Sequence, residues 1–192
     1  MFKFAKPLIF IVLLALVLGC SKPGTETWPD DSEMAYRSLM RGVDLAGKGQ
    51  LEQALVAMDK AIELDPDWIV LLYNRAIVYA GLGQKDKEVA AYQQVIALAP
   101  QAGKHERERI LSASYYNLVF IALSRGDVDQ AFAWLDKALA TTTHVDAFYH
   151  ELVGSPELAI LRQDQRFKPL MQRYWPNYGV VVGRLPAASA SR

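Results

Sequence analysis

The sequence predicts an all-α protein built from about three pairs of helices. From Glu33 onward, apolar residues recur at the spacing of one helix face, and a glycine or a proline ends each run. The chain also repeats its own layout after 34 residues, which places Gly49 on Gly83 and Pro66 on Pro100. A repeat of this length with one turn glycine and one closing proline indicates stacked helix-turn-helix units.

The first unit contains two amphipathic segments separated by Gly49. The apolar face of the first segment consists of Tyr36, Leu39, Met40 and Val43. The second segment resumes the helical pattern directly after the glycine. Pro66 ends the pair, because proline cannot continue a helix and restricts the residue before it.

A third unit follows the second after a longer gap. Gly126 lies 43 residues beyond Gly83, which is nine more than the repeat length, and Ala131 and Ala138 then return at the expected spacings. The surplus falls in residues 101–111, a charged stretch that we predict to lengthen the first helix of this unit toward its N-terminus. Such a charged stretch is either a ridge that contacts a partner or a solvated helix face, and the charge pattern favours the solvated face.

The second unit contains the most specific set of residues in the chain. They are Leu72-Tyr73-Asn74-Arg75-Ala76, Tyr79, Gly83, Tyr92 and Ala99-Pro100. This set resembles the tetratricopeptide repeat family. The resemblance implies a short superhelix of about three helix-pair repeats. Glu88 departs from the family pattern, which usually has a small alanine there, so the two helices of this unit are expected to pack less closely.

The C-terminal part carries a second resemblance. Ser155 and Pro156 form an N-cap followed by proline at the first helical position. Residues 156–167, Pro-Glu-Leu-Ala-Ile-Leu-Arg-Gln-Asp-Gln-Arg-Phe, resemble an ending common in bacterial tetratricopeptide proteins. The resemblance implies capping helices that cover the last repeat. The repeat domain with its cap is therefore predicted at residues 33–174, followed by a partly disordered tail at residues 175–192.

Residues 1–19 have the layout of a signal peptide. Lys3 and Lys6 precede an uninterrupted run of 11 apolar residues, from Leu8 to Leu18. A membrane-spanning helix needs about 20 apolar residues, so this run is too short to be a permanent anchor by itself.

Cys20 is the single cysteine of the chain, and Val17-Leu18-Gly19 precedes it. This order resembles the lipobox of bacterial lipoproteins, in which the cysteine is lipidated and becomes the new N-terminus. The resemblance implies a lipid anchor in the cell envelope, and Ser21 after the cysteine is associated with the outer membrane. The alternative is an ordinary secretory signal with an incidental cysteine. Residues 20–32 lack an apolar period and are predicted to be the lipidated N-terminus and a flexible tether.

Composition and motifs argue against nucleic-acid binding and against catalysis. The 192 residues include 21 Lys and Arg and 21 Asp and Glu, so no basic face for nucleic acid is expected. The sequence has no Gly-rich phosphate loop, no zinc-binding helix motif and no cysteine pair. His144, Asp146 and His150 are close in sequence, but we interpret them as ordinary histidines and an ordinary carboxylate. The prediction is a protein that is not an enzyme and that needs no cofactor and no metal.

The inner face formed by the first helix of each repeat is the predicted peptide-binding groove. The pairs Tyr73-Asn74 and Tyr116-Asn117 recur at the same repeat position. In each pair the tyrosine lies ten residues and the asparagine nine residues before the turn glycine, Gly83 or Gly126. The family resemblance implies that asparagine side chains grip the backbone amides of a bound peptide. The predicted groove residues are Tyr36, Leu39, Met40, Val43, Tyr73, Asn74, Ile77, Tyr116, Asn117 and Phe120. The alternative is that these residues form helix-packing core or are covered by the tail of the chain itself.

The function expected from these patterns is that of a non-enzymatic scaffold or assembly factor. It would be anchored by lipid in the bacterial outer membrane, face the periplasm and bind a segment of an envelope protein. The alternative is a structural subunit of a larger envelope complex whose groove is permanently occupied. A hydrolase that uses His144 or His150 is disfavoured.

Overall fold

A computed structural model of the chain describes residues 30–142 and 152–176. Within these ranges the chain forms helices and no β-strand. The α helices are α1 Asp30–Gly47, α2 Leu51–Leu64, α3 Ile69–Gly81, α4 Lys85–Leu98, α5 Lys104–Ser124, α6 Val128–Thr141, α7 Ala159–Gln163 and α8 Phe167–Tyr174. Short 3-10 turns occupy Ala99–Gln101 and Pro156–Leu158. The all-α fold of paired helices predicted from the sequence is confirmed.

The chain divides into two compact units. Unit 1 comprises the residues up to Ser114, and unit 2 comprises the residues from Tyr115. The boundary lies inside α5, so the N-terminal half of that helix belongs to unit 1 and the C-terminal half to unit 2. In unit 1, α1 packs against α2, and α3 packs against α4.

A glycine in the left-handed conformation lies in the turn between the two helices of each pair. Gly49, Gly83 and Gly126 have φ angles of 75°, 71° and 76°. In the first turn, Gly49 N donates to Ala46 O and Gln50 N donates to Leu45 O, each at 2.9 Å. This pair of bonds satisfies carbonyls at the C-terminus of α1, and glycine adopts the required conformation without a steric penalty. The predicted turn glycines are therefore confirmed at all three positions.

Small residues line the crossing of α1 and α2. A Cβ added at Gly42 would lie 2.8 Å from Met58 Cε and 3.3 Å from Ala54 O, so a side chain at this position would require Met58 to move. Ala54 and Ala61 are fully buried on the facing side of α2. This close approach is the packing that the repeat register predicts.

Glu88 occupies the same register position in α4 as Ala54 in α2, and it is buried. Its carboxyl group lies near Tyr92, whose side chain packs against Tyr73 with ring centroids 5.8 Å apart. Burial raises the pKa of the Tyr92 hydroxyl well above its usual value, and the neighbouring Tyr73 and Glu88 raise it further. A polar cluster thus replaces the small residue at this crossing.

The charged insertion before the third helix pair lengthens α5, as predicted. Residues 99–101 form a 3-10 turn, and α5 then begins at Lys104 and continues for 21 residues. Not all of its charges face water, because Glu106 is half-buried and accepts a hydrogen bond from Trp68 Nε1 at 2.9 Å. The expectation of a solvated helix face is therefore only partly correct, since residues 106–109 are all half-buried.

The core of unit 2 joins α6 to the two C-terminal helices. Its buried members include Phe132, Leu135, Leu139, Leu152, Leu158, Leu161, Phe167, Leu170 and Met171. These apolar side chains supply most of the driving force that holds α7 and α8 on the preceding helix. Both C-terminal helices fall within the cap predicted from the sequence, and its role in covering the last repeat stays a prediction.

Ion pairs add to this contact at the surface. Arg166 donates to Asp129 at 2.6 Å and lies over the Phe132 ring, 4.3 Å from its centroid. The same guanidinium donates two hydrogen bonds to Asp164, which lowers the pKa of that carboxyl group to about 2. Two turns further along α8, Arg173 donates to Asp136 at 3.0 Å. The α8 helix is thus held to α6 at two points.

The helix boundaries differ slightly from those expected. The α1 helix begins at Asp30, so residues 30–32 of the predicted tether are helical. The predicted signal peptide of residues 1–19, Cys20 and most of the tail at residues 175–192 lie outside the described residues. No helix in the described part of the chain is long and apolar enough to cross a membrane.

Candidate protein-interaction surface

The predicted groove residues of α1 are divided between core and surface. Leu39 is buried, whereas Tyr36, Met40 and Val43 are half-buried. The three half-buried side chains fall at positions i, i+4 and i+7 of the helix, which is the spacing of one helix face. Part of this α1 face is accessible to a partner.

The predicted groove residues of α3 are buried. Tyr73 is 0 % exposed, Asn74 is 2 % exposed and Ile77 is 5 % exposed. Tyr73 packs against Tyr92 of α4, so its ring contributes to the contact between the two helices of the pair. In this structure these three side chains offer no accessible surface to a peptide, which corrects the expectation that they line an open groove.

Asn74 makes a local hydrogen bond within α3. Its Nδ2 donates to Val70 O, one turn earlier, at 2.7 Å. Among the described residues, Asn74 Oδ1 has no hydrogen-bond partner. The expectation of an amide that faces an open groove is therefore wrong for this conformation, because the side chain is buried beside its own helix. Its removal would change the core as well as any binding, so an Asn74 substitution does not isolate a binding role.

The corresponding residues of unit 2 are packed differently. Tyr116 is buried and its ring meets Phe120 edge to face, with centroids 4.9 Å apart. Asn117 and Phe120 are half-buried. The recurring Tyr-Asn pair therefore keeps its repeat position but not its environment, since Asn74 is buried and Asn117 is partly accessible.

An aromatic pair and a carboxylate meet at the N-terminal ends of three unit 1 helices. Tyr36 lies in the second turn of α1, Trp68 is the N-cap residue of α3, and Glu106 lies in the first turn of α5. The Tyr36 and Trp68 rings are stacked, with centroids 6.5 Å apart and planes 24° apart. Trp68 Nε1 donates to Glu106 Oε1 at 2.9 Å. Repeat spacing could not reveal this cluster, because Glu106 comes from the insertion that interrupts the repeat.

A second stacked aromatic pair lies in unit 2. The rings of Tyr115 and Trp134 have centroids 5.8 Å apart and planes 20° apart. Lys137 Nζ lies over both rings, 4.6 Å from the Trp134 centroid and 5.8 Å from the Tyr115 centroid. An ammonium at these distances is attracted by the negative faces of the rings. This Tyr-Trp pair therefore has a lysine of the chain itself as its cation.

Metal chemistry has no support in the described part of the chain. No group of three His, Cys, Asp or Glu side chains there is placed to hold a metal ion. His144, Asp146 and His150 lie outside the described residues.

Comparison with known proteins identifies the repeats of unit 1. A family model for the tetratricopeptide repeat matches residues 39–67 and residues 69–101. These two segments are tetratricopeptide repeats. The first tetratricopeptide repeat covers the C-terminal half of α1 and all of α2, and the second covers α3, α4 and the 3-10 turn that follows. No curated protein matches the chain.

The tetratricopeptide repeats agree with the geometry of unit 1. Each matched segment contains the left-handed glycine that connects the two helices of a pair, and each ends near the proline that the sequence repeats. Tetratricopeptide repeats generally bind protein partners, which supports a role in protein–protein interaction.

Proposed function

We propose that this protein is a non-enzymatic scaffold that binds a segment of an envelope protein while a lipid holds it at the bacterial outer membrane. The two tetratricopeptide repeats support the scaffold role. Within unit 1, the accessible α1 face of Tyr36, Met40 and Val43 is the part of the predicted groove that a partner can reach. This face, beside the two matched repeats, is the observation that carries the proposal.

The envelope location rests on the N-terminal sequence. Lys3 and Lys6, the apolar run and the lipobox-like order before Cys20 support export followed by lipidation. Each buried CH₂ of an acyl chain contributes about 0.8 kcal/mol to membrane binding, so two or more chains anchor a protein stably. The repeats would then face the periplasm, where an envelope partner is available.

The burial of the α3 groove residues favours a specific second candidate. A subunit whose repeats are packed permanently against a partner needs no open groove at Tyr73, Asn74 or Ile77. A stable subunit would co-purify with its complex at fixed stoichiometry after detergent extraction, whereas a transient adaptor would be recovered free of partners. Stoichiometric co-purification would therefore decide in favour of the structural subunit.

Crosslinking from the α1 face tests the interaction role. A photo-crosslinking amino acid at Met40 is expected to capture a partner in cells, because this side chain is half-buried on the accessible face. The matched control is the same amino acid at Val56 of α2, which is 72 % exposed and lies outside the predicted groove. Mass spectrometry of the products identifies the partner. Equal capture from the two positions, or none from Met40, would remove the α1 face from the proposal.

Substitution of the proposed lipidation site tests the anchor. The Cys20→Ser variant is expected to leave the membrane fraction or to accumulate as an unprocessed precursor, because the acyl attachment point is lost. Membrane fractionation and the mass of the purified protein measure both outcomes. The Ser21→Ala variant is the control and should remain lipidated. A fully processed Cys20→Ser protein that still fractionates with membranes would show that no lipid on Cys20 is needed.

A further inference from the structure

We propose that Tyr36, Trp68 and Glu106 form a binding site for a lysine or arginine side chain of the partner. The inference rests on the proposed interaction role, and it adds a charge preference to the α1 face. Tyr36 belongs both to that face and to the aromatic cluster. A partner segment that lies along α1 would therefore reach the cluster at the N-terminal end of the helix.

The carboxylate of Glu106 is placed to pair with a cation from a partner. Glu106 is half-buried and accepts one hydrogen bond, from the neutral indole of Trp68. Among the described residues it forms no ion pair, and Arg107 on the same helix turn instead contacts Pro100 O at 3.5 Å. The N-terminal turn of α5 offsets part of the negative charge. A cationic side chain from outside would supply the ion-pair partner that Glu106 lacks within these ranges, and it would do so beside apolar rings.

The rings of Tyr36 and Trp68 lie beside this carboxylate. Tyr36 and Trp68 are each half-buried, so part of each side chain remains accessible beside the carboxylate. Cations are attracted to the faces of tryptophan and tyrosine within about 6 Å of the ring centroid. Two stacked rings and a carboxylate together favour an ammonium or guanidinium over a neutral or acidic group.

Unit 2 provides an internal comparison for this chemistry. The Tyr115 and Trp134 pair has nearly the same interplanar angle, and Lys137 lies over both of its rings. No lysine or arginine of the described chain lies over the Trp68 ring. Trp134 thus lies beneath a cation in unit 2, whereas Trp68 in unit 1 donates to a carboxylate, which would attract a cation.

A titration of the purified full-length protein in detergent tests the site directly. The probe is Nα-acetyl-lysine methylamide, and the neutral control is Nα-acetyl-norleucine methylamide, which has an apolar side chain of similar length. The readout is the indole N–H resonance of Trp68, assigned by its loss in Trp68→Phe. We expect a saturable shift with the lysine probe and little with the control. The Trp134 resonance should not move, since Lys137 already lies over that ring.

Two variants separate charge recognition from a merely structural contact. Glu106→Gln keeps an oxygen that can accept from Trp68 and removes the charge, so we expect about twofold to tenfold weaker binding of the lysine probe. Glu108→Gln makes the same chemical change two residues away and should bind normally. An unchanged titration in Glu106→Gln, or no shift in the unmodified protein, would overturn the inference and leave the cluster as a contact that holds α5 in place.

Partner capture separates this inference from the proposed function. Combining Glu106→Gln with the Met40 crosslinker should reduce the yield of captured partner while the melting temperature stays near that of the unmodified protein. Undiminished capture would overturn the lysine or arginine site and leave the scaffold role intact. If Met40 captures nothing with either residue at position 106, the α1 face is removed from the proposed function, and the lysine titration still decides the cation site.

Discussion

Replacing Phe167 with alanine is expected to lower the free energy of unfolding of unit 2 by about 3–5 kcal/mol. Phe167 is the first residue of α8, is 2 % exposed and belongs to the core that joins α8 to α6. Truncation to alanine would remove its apolar contacts and leave a cavity that the surrounding helices fill only in part. The Arg166 ion pair nearby is exposed and cannot compensate for a loss of this size.

Thermal or denaturant unfolding measures the effect. The matched control is Ile160→Ala, since Ile160 lies in the neighbouring helix α7 but is 52 % exposed. The control should change the free energy of unfolding far less than Phe167→Ala. Similar losses in the two variants would mean that α8 is not held by the apolar core described for unit 2.

Replacing Met58 with alanine is expected to cost about 2–5 kcal/mol in unit 1. Met58 is fully buried in α2, and its Cε and Sδ atoms fill the space beside Gly42 of α1. The side chain therefore occupies the gap that the missing Cβ of the glycine leaves. Alanine cannot fill this gap, and the close approach of Ala54 to the same glycine limits how far the helices can collapse.

Val56→Ala is the control for this substitution. Val56 lies two residues earlier in the same helix and is 72 % exposed, so its truncation should change stability by no more than about 0.5 kcal/mol. The double variant Gly42→Ala with Met58→Ala should recover part of the loss, because the added methyl group would then enter space that Met58 has left. No recovery would show that the two residues do not share one packing site.

The repeat pattern was sufficient to predict most of the helical framework. The recurrence of Gly49 as Gly83 predicted the turns, because only a residue without a Cβ adopts their left-handed backbone at little cost. The nine-residue surplus before Gly126 correctly predicted a longer α5. Both features depend on residues that are close in sequence, so the spacing and the residue types were enough to predict them.

The contacts between distant residues could not be predicted in the same way. Trp68 and Glu106 are 38 residues apart and occupy no common repeat position, so no periodicity links them. Asn74 was expected at an open surface because it recurs as Asn117, but a repeat position does not determine which neighbouring helices cover a side chain. Burial depends on how successive pairs pack, and only the structure shows that Asn74 is enclosed.

The tight glycine turns also bear on how fast the chain folds. The helices on either side of Gly49, Gly83 and Gly126 are neighbours in sequence, so each hairpin forms by closing a short loop at low entropic cost. Proteins dominated by such local contacts fold rapidly, whereas the pairing of Asp129 with Arg166 must close a segment of 37 residues. The hairpins can therefore form early and independently, and the attachment of α8 to α6 depends on a slower search.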